Sequence, residues 1–82
     1  TDPLSEREKE VVCCIVRGMT NKEVAAFLFI SINTVLTHRK NISRKLNIHS
    51  VSGLTIYAIA SGLVDVKELN ATANIKKAAS LR

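Results

Sequence analysis

The stretch Thr20-Asn21-Lys22-Glu23-Val24-Ala25-Ala26-Phe27-Leu28-Phe29-Ile30-Ser31-Ile32-Asn33-Thr34-Val35-Leu36-Thr37-His38-Arg39-Lys40 decides how this chain folds. Thr20 followed three residues later by Glu23 is a capping box: the hydroxyl accepts from one free helical N–H, and the carboxylate reaches back to another. A short helix opens there, with Val24, Ala25 and Leu28 facing inward. Phe29-Ile30-Ser31 interrupts the pattern for about three residues, a helix-turn-helix spacing. Ser31 then caps a longer helix over about 32–46. In it Ile32, Val35, Ile42 and Leu46 fall on one side. Asn33, Leu36, Thr37, Lys40 and Arg44 recur at spacings of three and four and form a second stripe.

Working outward, Ser5 and Glu8 form another capping box, and Val11, Val12, Cys14 and Ile15 recur at helical spacing behind it. Gly18 is the stop that glycine favours, and Gly18-Met19-Thr20 is the connection to the next helix. On the other side, Asn47 ends the long helix, Ile48 packs, and Ser50 caps a fourth helix. That helix carries Leu54, Tyr57 and Ala58 inward, with Val51 and Ile59 as further inward candidates, and stops near Gly62. Val64, Val66 and Leu69 are placed to close over the core, with a short turn near 65–69. Residues 71–81 read either as a frayed tail or as an extra helix. No β-alternation appears. The expected fold is all-α: four helices over 1–64, then a C-terminal tail or short helical extension over 65–82.

The composition narrows the function classes. The chain has 82 residues and a net charge of +5, so it is one domain with one small core. It begins without Met and reads as a piece of a longer protein or as a processed one. No apolar stretch approaches the roughly 18 residues of a membrane span, and no signal peptide is visible. Cys13 and Cys14 are adjacent, a poor geometry for a disulfide with each other, which points to a reducing, cytoplasmic setting. There is no metal-spaced cluster, glycine-rich phosphate loop or nucleophile elbow, so no catalytic residue, metal or cofactor is expected. The only catalytic candidate, a Cys13 or Cys14 thiol paired with His38, is weak.

The charge is local. Residues 31–50 contain Arg39, Lys40, Arg44 and Lys45 and no acid. A basic helix of this kind is either a solvated face or a surface for a polyanion. The DNA major groove, about 12 Å wide, admits one helix whose tip carries short polar or methyl-bearing residues. Asn33, Thr37 and Lys40 suit base edges; His38, Arg39, Arg44 and Lys45 suit phosphates. Thr20, Asn21 and Lys22, at a helix N-terminus, suit a phosphate as well. The alternative is a helical protein–protein interaction module whose basic face meets an acidic partner.

The run Leu4-Ser5-Glu6-Arg7-Glu8, Gly18 to Ala25, Leu28 to Ser31, Thr34-Val35, His38, Asn41-Ile42 and Lys45-Leu46 resembles the LuxR-type (FixJ/NarL-like) helix-turn-helix domain, over roughly Leu4 to Val64. The resemblance implies a four-helix DNA-binding domain at the C-terminus of a bacterial transcription regulator. It implies an upstream receiver domain in a two-component response regulator, or a small-molecule sensor. It places base contacts on Leu36, Thr37 and Lys40, and backbone contacts around Thr20, Asn21, Lys22, Thr34 and His38. It also implies a homodimer on DNA through the fourth helix, on Leu54, Tyr57, Ala58 and Ser61. Many members carry Lys or another polar residue where this chain has Leu36, so its preferred sequence is expected to differ.

Several residues carry two readings. Leu36 is a thymine contact or an exposed apolar residue without a role; Lys40 reads a base or a phosphate, or is a solubilising charge. His38 neighbours a phosphate or packs, and His49 is structural. Cys14 reads as inert core and Cys13 as partly exposed, with redox sensing as its minor alternative. Phe27 reads as core, or as an exposed contact for a receiver domain or RNA polymerase.

Overall fold

Residues 3–67 and 69 are described in the computed structural model of this chain. They form α1 (Glu6–Val16), α2 (Asn21–Leu28), α3 (Ile32–Leu46) and α4 (Val51–Ala60), with no strand among the described residues. All four N-caps are those expected from the local sequence. At α1 the Ser5 hydroxyl accepts from the Glu8 N–H at 3.2 Å while Glu8 Oε1 accepts from the Ser5 N–H at 2.8 Å. Thr20 and Glu23 repeat the box on α2 at 3.1 and 2.8 Å. Ser31 and Ser50 cap α3 and α4 through the Thr34 and Gly53 N–H groups, each at 3.0 Å.

The helix ends are local too. Gly18 and Gly62 adopt φ of 89° and 78° after α1 and α4, and Asn47 takes 54° after α3. These are the left-handed positions that glycine and asparagine tolerate. Phe29 takes the same conformation, φ 58°, at the end of α2. A Cβ-bearing aromatic is strained there, and its ring is 94% exposed, so it returns nothing to the core. The close of α2 comes instead from the Ile30 N–H, which donates to the Ala25 carbonyl at 3.0 Å.

The core gathers Leu4, Val11, Val12, Cys14, Ile15, Val24, Ala25, Val35, Ile42, Leu54, Ala58 and Val64. α1 lies centrally: it packs on α4 and α3 and touches α2, while α2 packs chiefly on α3. Glu8 joins this core because it sits on the same stripe as Val11, Val12 and Ile15. It is 3% exposed, and the Lys45 ammonium donates to it at 2.7 Å.

Five apolar residues expected inside are not. Ile32, the first residue of α3, is 45% exposed because the buried Val35 and Ile42 fix the rotation of the helix and turn its first residue to the flank. Ile59 lies toward the outer side of α4, since Leu54 and Ala58 claim the side against α1; Val51 stands on the stripe of Leu54 and Ala58 but, as the first residue of the helix, stays half exposed. Val66 is exposed while Val64 is buried. Phe27, expected in the core, is 59% exposed: with Val24 and Ala25 inward, it falls on the outer side of α2. The expected turn near 65–69 is present. The Leu69 N–H donates to the Asp65 carbonyl at 3.3 Å, and the Asp65 carboxylate accepts from the Lys67 N–H at 2.8 Å. The extra helix or frayed tail expected at 71–81 lies outside the described residues.

Candidate nucleic-acid interface

α3 presents its polar stripe outward. Asn33, Leu36, Thr37, Lys40 and Arg44 are exposed, while Val35 and Ile42 on the opposite side are buried. The rotation of the helix is therefore set by the core, and the stripe has one direction left to face. The Thr37 hydroxyl donates to the Asn33 carbonyl at 3.0 Å, so an outside partner meets its methyl or its oxygen lone pairs. Thr34 is half-buried, its hydroxyl 2.9 Å from the Ser31 cap. His38 is half-buried on the edge of the stripe. Arg44 donates to Asn41 Oδ1 at 3.3 Å, which leans its guanidinium along the helix.

The N-terminus of α2 joins the same surface. Arg39 Nη1 donates to Asn21 Oδ1 at 3.2 Å, across 18 positions of sequence. The two residues expected on a backbone thus hold each other, and they tie the first turn of α2 to the middle of α3. Thr20 and Lys22 flank this tie and are exposed. Among the described residues neither Lys22 nor Lys40 is in an ion pair. The first turns of α1 and α2 carry acids, Glu6, Glu8 and Glu23; the first turn of α3 carries none. A helix N-terminus is partly positive by itself, so α3 offers an uncompensated positive end with Lys40 and Arg44 behind it.

Two groups of expected residues are corrected by the packing. Lys45 follows Arg44 but points about 100° around the helix from it. Its ammonium is committed to Glu8, and its charge belongs to the α1–α3 seam rather than to the stripe. Burial by itself pushes the Glu8 carboxyl up, but hydrogen bonds from Lys45 and Ser5 outweigh it and hold the group below its ordinary value. Of the four residues expected at a dimer interface, Leu54 and Ala58 are buried within this chain's own core and are not available to a second copy. Tyr57 is half-buried against the core; Ser61 is exposed, with its hydroxyl donating to the Tyr57 carbonyl at 2.8 Å. The outward face of α4 is instead Ser52, Ile56 and Ile59. Ile56, absent from the sequence reading, is the most exposed of these apolar residues.

His49 has a structural place. Ser43 donates to the Ile48 carbonyl at 2.7 Å, and His49 Nδ1 lies 3.0 Å from the same hydroxyl, fastening the turn between α3 and α4. Both cysteines are free thiols. Burial raises the Cys14 pKa above its ordinary value, so the group stays protonated; the Cys13 thiol is 3.5 Å from the Leu63 carbonyl and donates to it. Among the described residues no group of His, Cys, Asp and Glu converges as a metal site, and no helix is long and apolar enough to cross a membrane.

The family model described as bacterial regulatory proteins, luxR family, matches residues 2–58. The transcriptional regulatory protein MctR of Rhizobium johnstonii is 45% identical over 64 residues, 78% of this chain and 30% of that relative. The transcriptional regulatory protein LiaR of Bacillus subtilis is 42% identical over 64 residues, with the same coverage of 78% and 30%. The oxygen regulatory protein NreC of Staphylococcus carnosus is 44% identical over 62 residues, 76% of this chain and 29% of that relative. The chain thus spans about 30% of the length of these curated relatives. With its four helices, its three-residue turn between α2 and α3 and this match, the chain belongs to the LuxR family of bacterial regulatory proteins and is a helix-turn-helix DNA-binding domain of that family.

Proposed function

We propose that this domain inserts α3 into the major groove of double-stranded DNA and sets the N-terminus of α2 on a neighbouring phosphate, as the cytoplasmic output part of a transcriptional regulator. Asn33, Leu36, Thr37 and Lys40 meet base edges. Thr20, Asn21, Lys22, Thr34, His38, Arg39 and Arg44 meet the sugar-phosphate backbone. The observation that carries this reading is the acid-free, outward stripe of α3, ending in Lys40 and Arg44 and tied through Arg39 to the first turn of α2. Helix and groove match in width, and the cations lie where phosphates flank a groove. The role is regulatory rather than catalytic. The signal reaches this domain from a separate receiver of a two-component response regulator or from another sensor domain, in keeping with relatives named as transcriptional regulatory proteins.

The same reading includes a homodimer on DNA through the outer face of α4, with Ile56 and Ile59 as its apolar centre. Phe27, exposed on α2, serves as a contact for the upstream domain or for RNA polymerase. Titration of a fluorescent duplex at a series of salt concentrations tests the central claim. Affinity should fall linearly in the logarithm of salt, with a slope of about −0.9 per neutralised phosphate. Absence of duplex binding at low salt refutes it.

A further inference from the structure

The first two turns of α3 expose two branched aliphatic side chains, Ile32 at 45% and Leu36 at 46%. They are four positions apart and so adjoin on the helix surface. Helical side chains lean toward the N-terminus, which lays Leu36 over the turn that carries Ile32. Val35, between them in sequence, is fully buried and prevents the pair from rotating inward. The row they begin continues one turn at a time through Lys40 and Arg44, both exposed. An apolar pair followed by two cations, on a helix with no acid in its first turn, is complementary to a polyanion that displays apolar groups. In the major groove that apolar group is the 5-methyl of thymine.

We propose that Ile32 and Leu36 form one apolar reader that selects thymine through its 5-methyl group, Leu36 touching the methyl and Ile32 acting as a positioning residue that holds Leu36 in place. This rests on the DNA-binding reading above. Neither side chain donates or accepts a hydrogen bond, so the pair distinguishes thymine from cytosine by the methyl alone. The polar neighbours Asn33 and Lys40 read the hydrogen-bonding edges beside it.

The test uses the 82-residue chain and a duplex selected from random sequences. Each thymine is replaced in turn by deoxyuridine, which removes the methyl and keeps the base pair. Withdrawing one methyl from water is worth about fourfold in Kd, so uracil at one or two positions should weaken binding about fourfold each. In Leu36→Ser that thymine-to-uracil ratio should fall to about one. In Ile32→Ala it should fall part of the way, with non-specific affinity and salt slope unchanged, which a merely structural role would not produce. A ratio of one at every position in the parent chain, with binding intact, overturns the apolar reader and leaves the DNA-binding reading standing. A ratio that persists unchanged in both variants assigns the methyl contact elsewhere, to the Thr37 methyl, and overturns it too. Absence of any duplex binding overturns both readings at once.

Discussion

The pairing of Glu8 with Lys45 joins α1 to α3 away from the exposed polar stripe of α3, and its removal has a calculable cost. Glu8 Oε1 receives the Lys45 ammonium at 2.7 Å and the Ser5 N–H at 2.8 Å, and the Glu8 side chain is 4% exposed while that of Lys45 is 34%. Glu8→Gln keeps the size and the acceptor for Ser5 but loses the charge. A hydrogen bond to a charged group contributes about 1.5–3 kcal/mol, and Lys45 recovers part of this from water, leaving about 1–2 kcal/mol. Lys45→Met is worse, because it strands a buried carboxylate; about 3 kcal/mol is expected. The double variant should lie near Glu8→Gln alone. At about 0.05–0.15 kcal/mol per residue, a domain of this size has roughly 3–10 kcal/mol in total, so either change is visible. Each kcal/mol lowers Tm by about 4–8 °C. Urea and thermal unfolding followed by far-UV circular dichroism measure both variants.

The same pair sets an acid limb. The folded-state Glu8 carboxyl lies below its unfolded value, because hydrogen bonding outweighs the burial that pushes it up. Its contribution is therefore fully present above the ordinary carboxylate pKa and is lost as pH falls through the lower folded value. Glu8→Gln should flatten that part of the stability profile. If Lys45→Met costs no more than Glu8→Gln, or if both stay within about 0.5 kcal/mol of the parent chain, the pair is not a buried one in solution and the reasoning fails.

Other perturbations address the polar stripe of α3 and the outer helix faces. Lys40→Ala should weaken specific binding by about 1–3 kcal/mol if the ammonium reads a base; specific and non-specific Kd rising together by the same factor show that it touches only phosphate. Phe29→Gly removes a left-handed aromatic that is almost wholly exposed, and chemical denaturation should find the domain unchanged or more stable by up to about 1 kcal/mol; a loss of more than that shows that the ring has a packing partner. Ile56→Asp, on the outer face of α4, should abolish cooperative binding to paired half-sites about 10 base pairs apart while leaving the fold intact. Unchanged sedimentation of the DNA complex and unchanged cooperativity would place the dimer contact elsewhere.

The sequence by itself determined the elements and their ends. Ser5, Thr20, Ser31 and Ser50 cap the four helices through bonds spanning three residues, and Gly18 and Asn47 close two of them through a single backbone conformation. Such signals are local, and a local reading recovers them. The outward stripe of α3 was legible for the same reason, since the periodicity that buries Val35 and Ile42 turns Asn33, Thr37 and Lys40 away. Only the tertiary structure decided which face of α4 is inside. That helix carries apolar residues all round, so its pattern does not distinguish Leu54 and Ala58, which meet α1, from Ile56 and Ile59, which meet solvent. The commitment of Lys45 was equally hidden, because its partner lies 37 positions away and a charge run does not reveal which cation is already held. One signal was present and overlooked: Glu8 stands on the stripe of Val11, Val12 and Ile15, and a carboxylate on a buried stripe requires a cation across the seam. Capping and periodicity act within a few residues, whereas burial and ion pairing are settled by whichever helices the chain brings together.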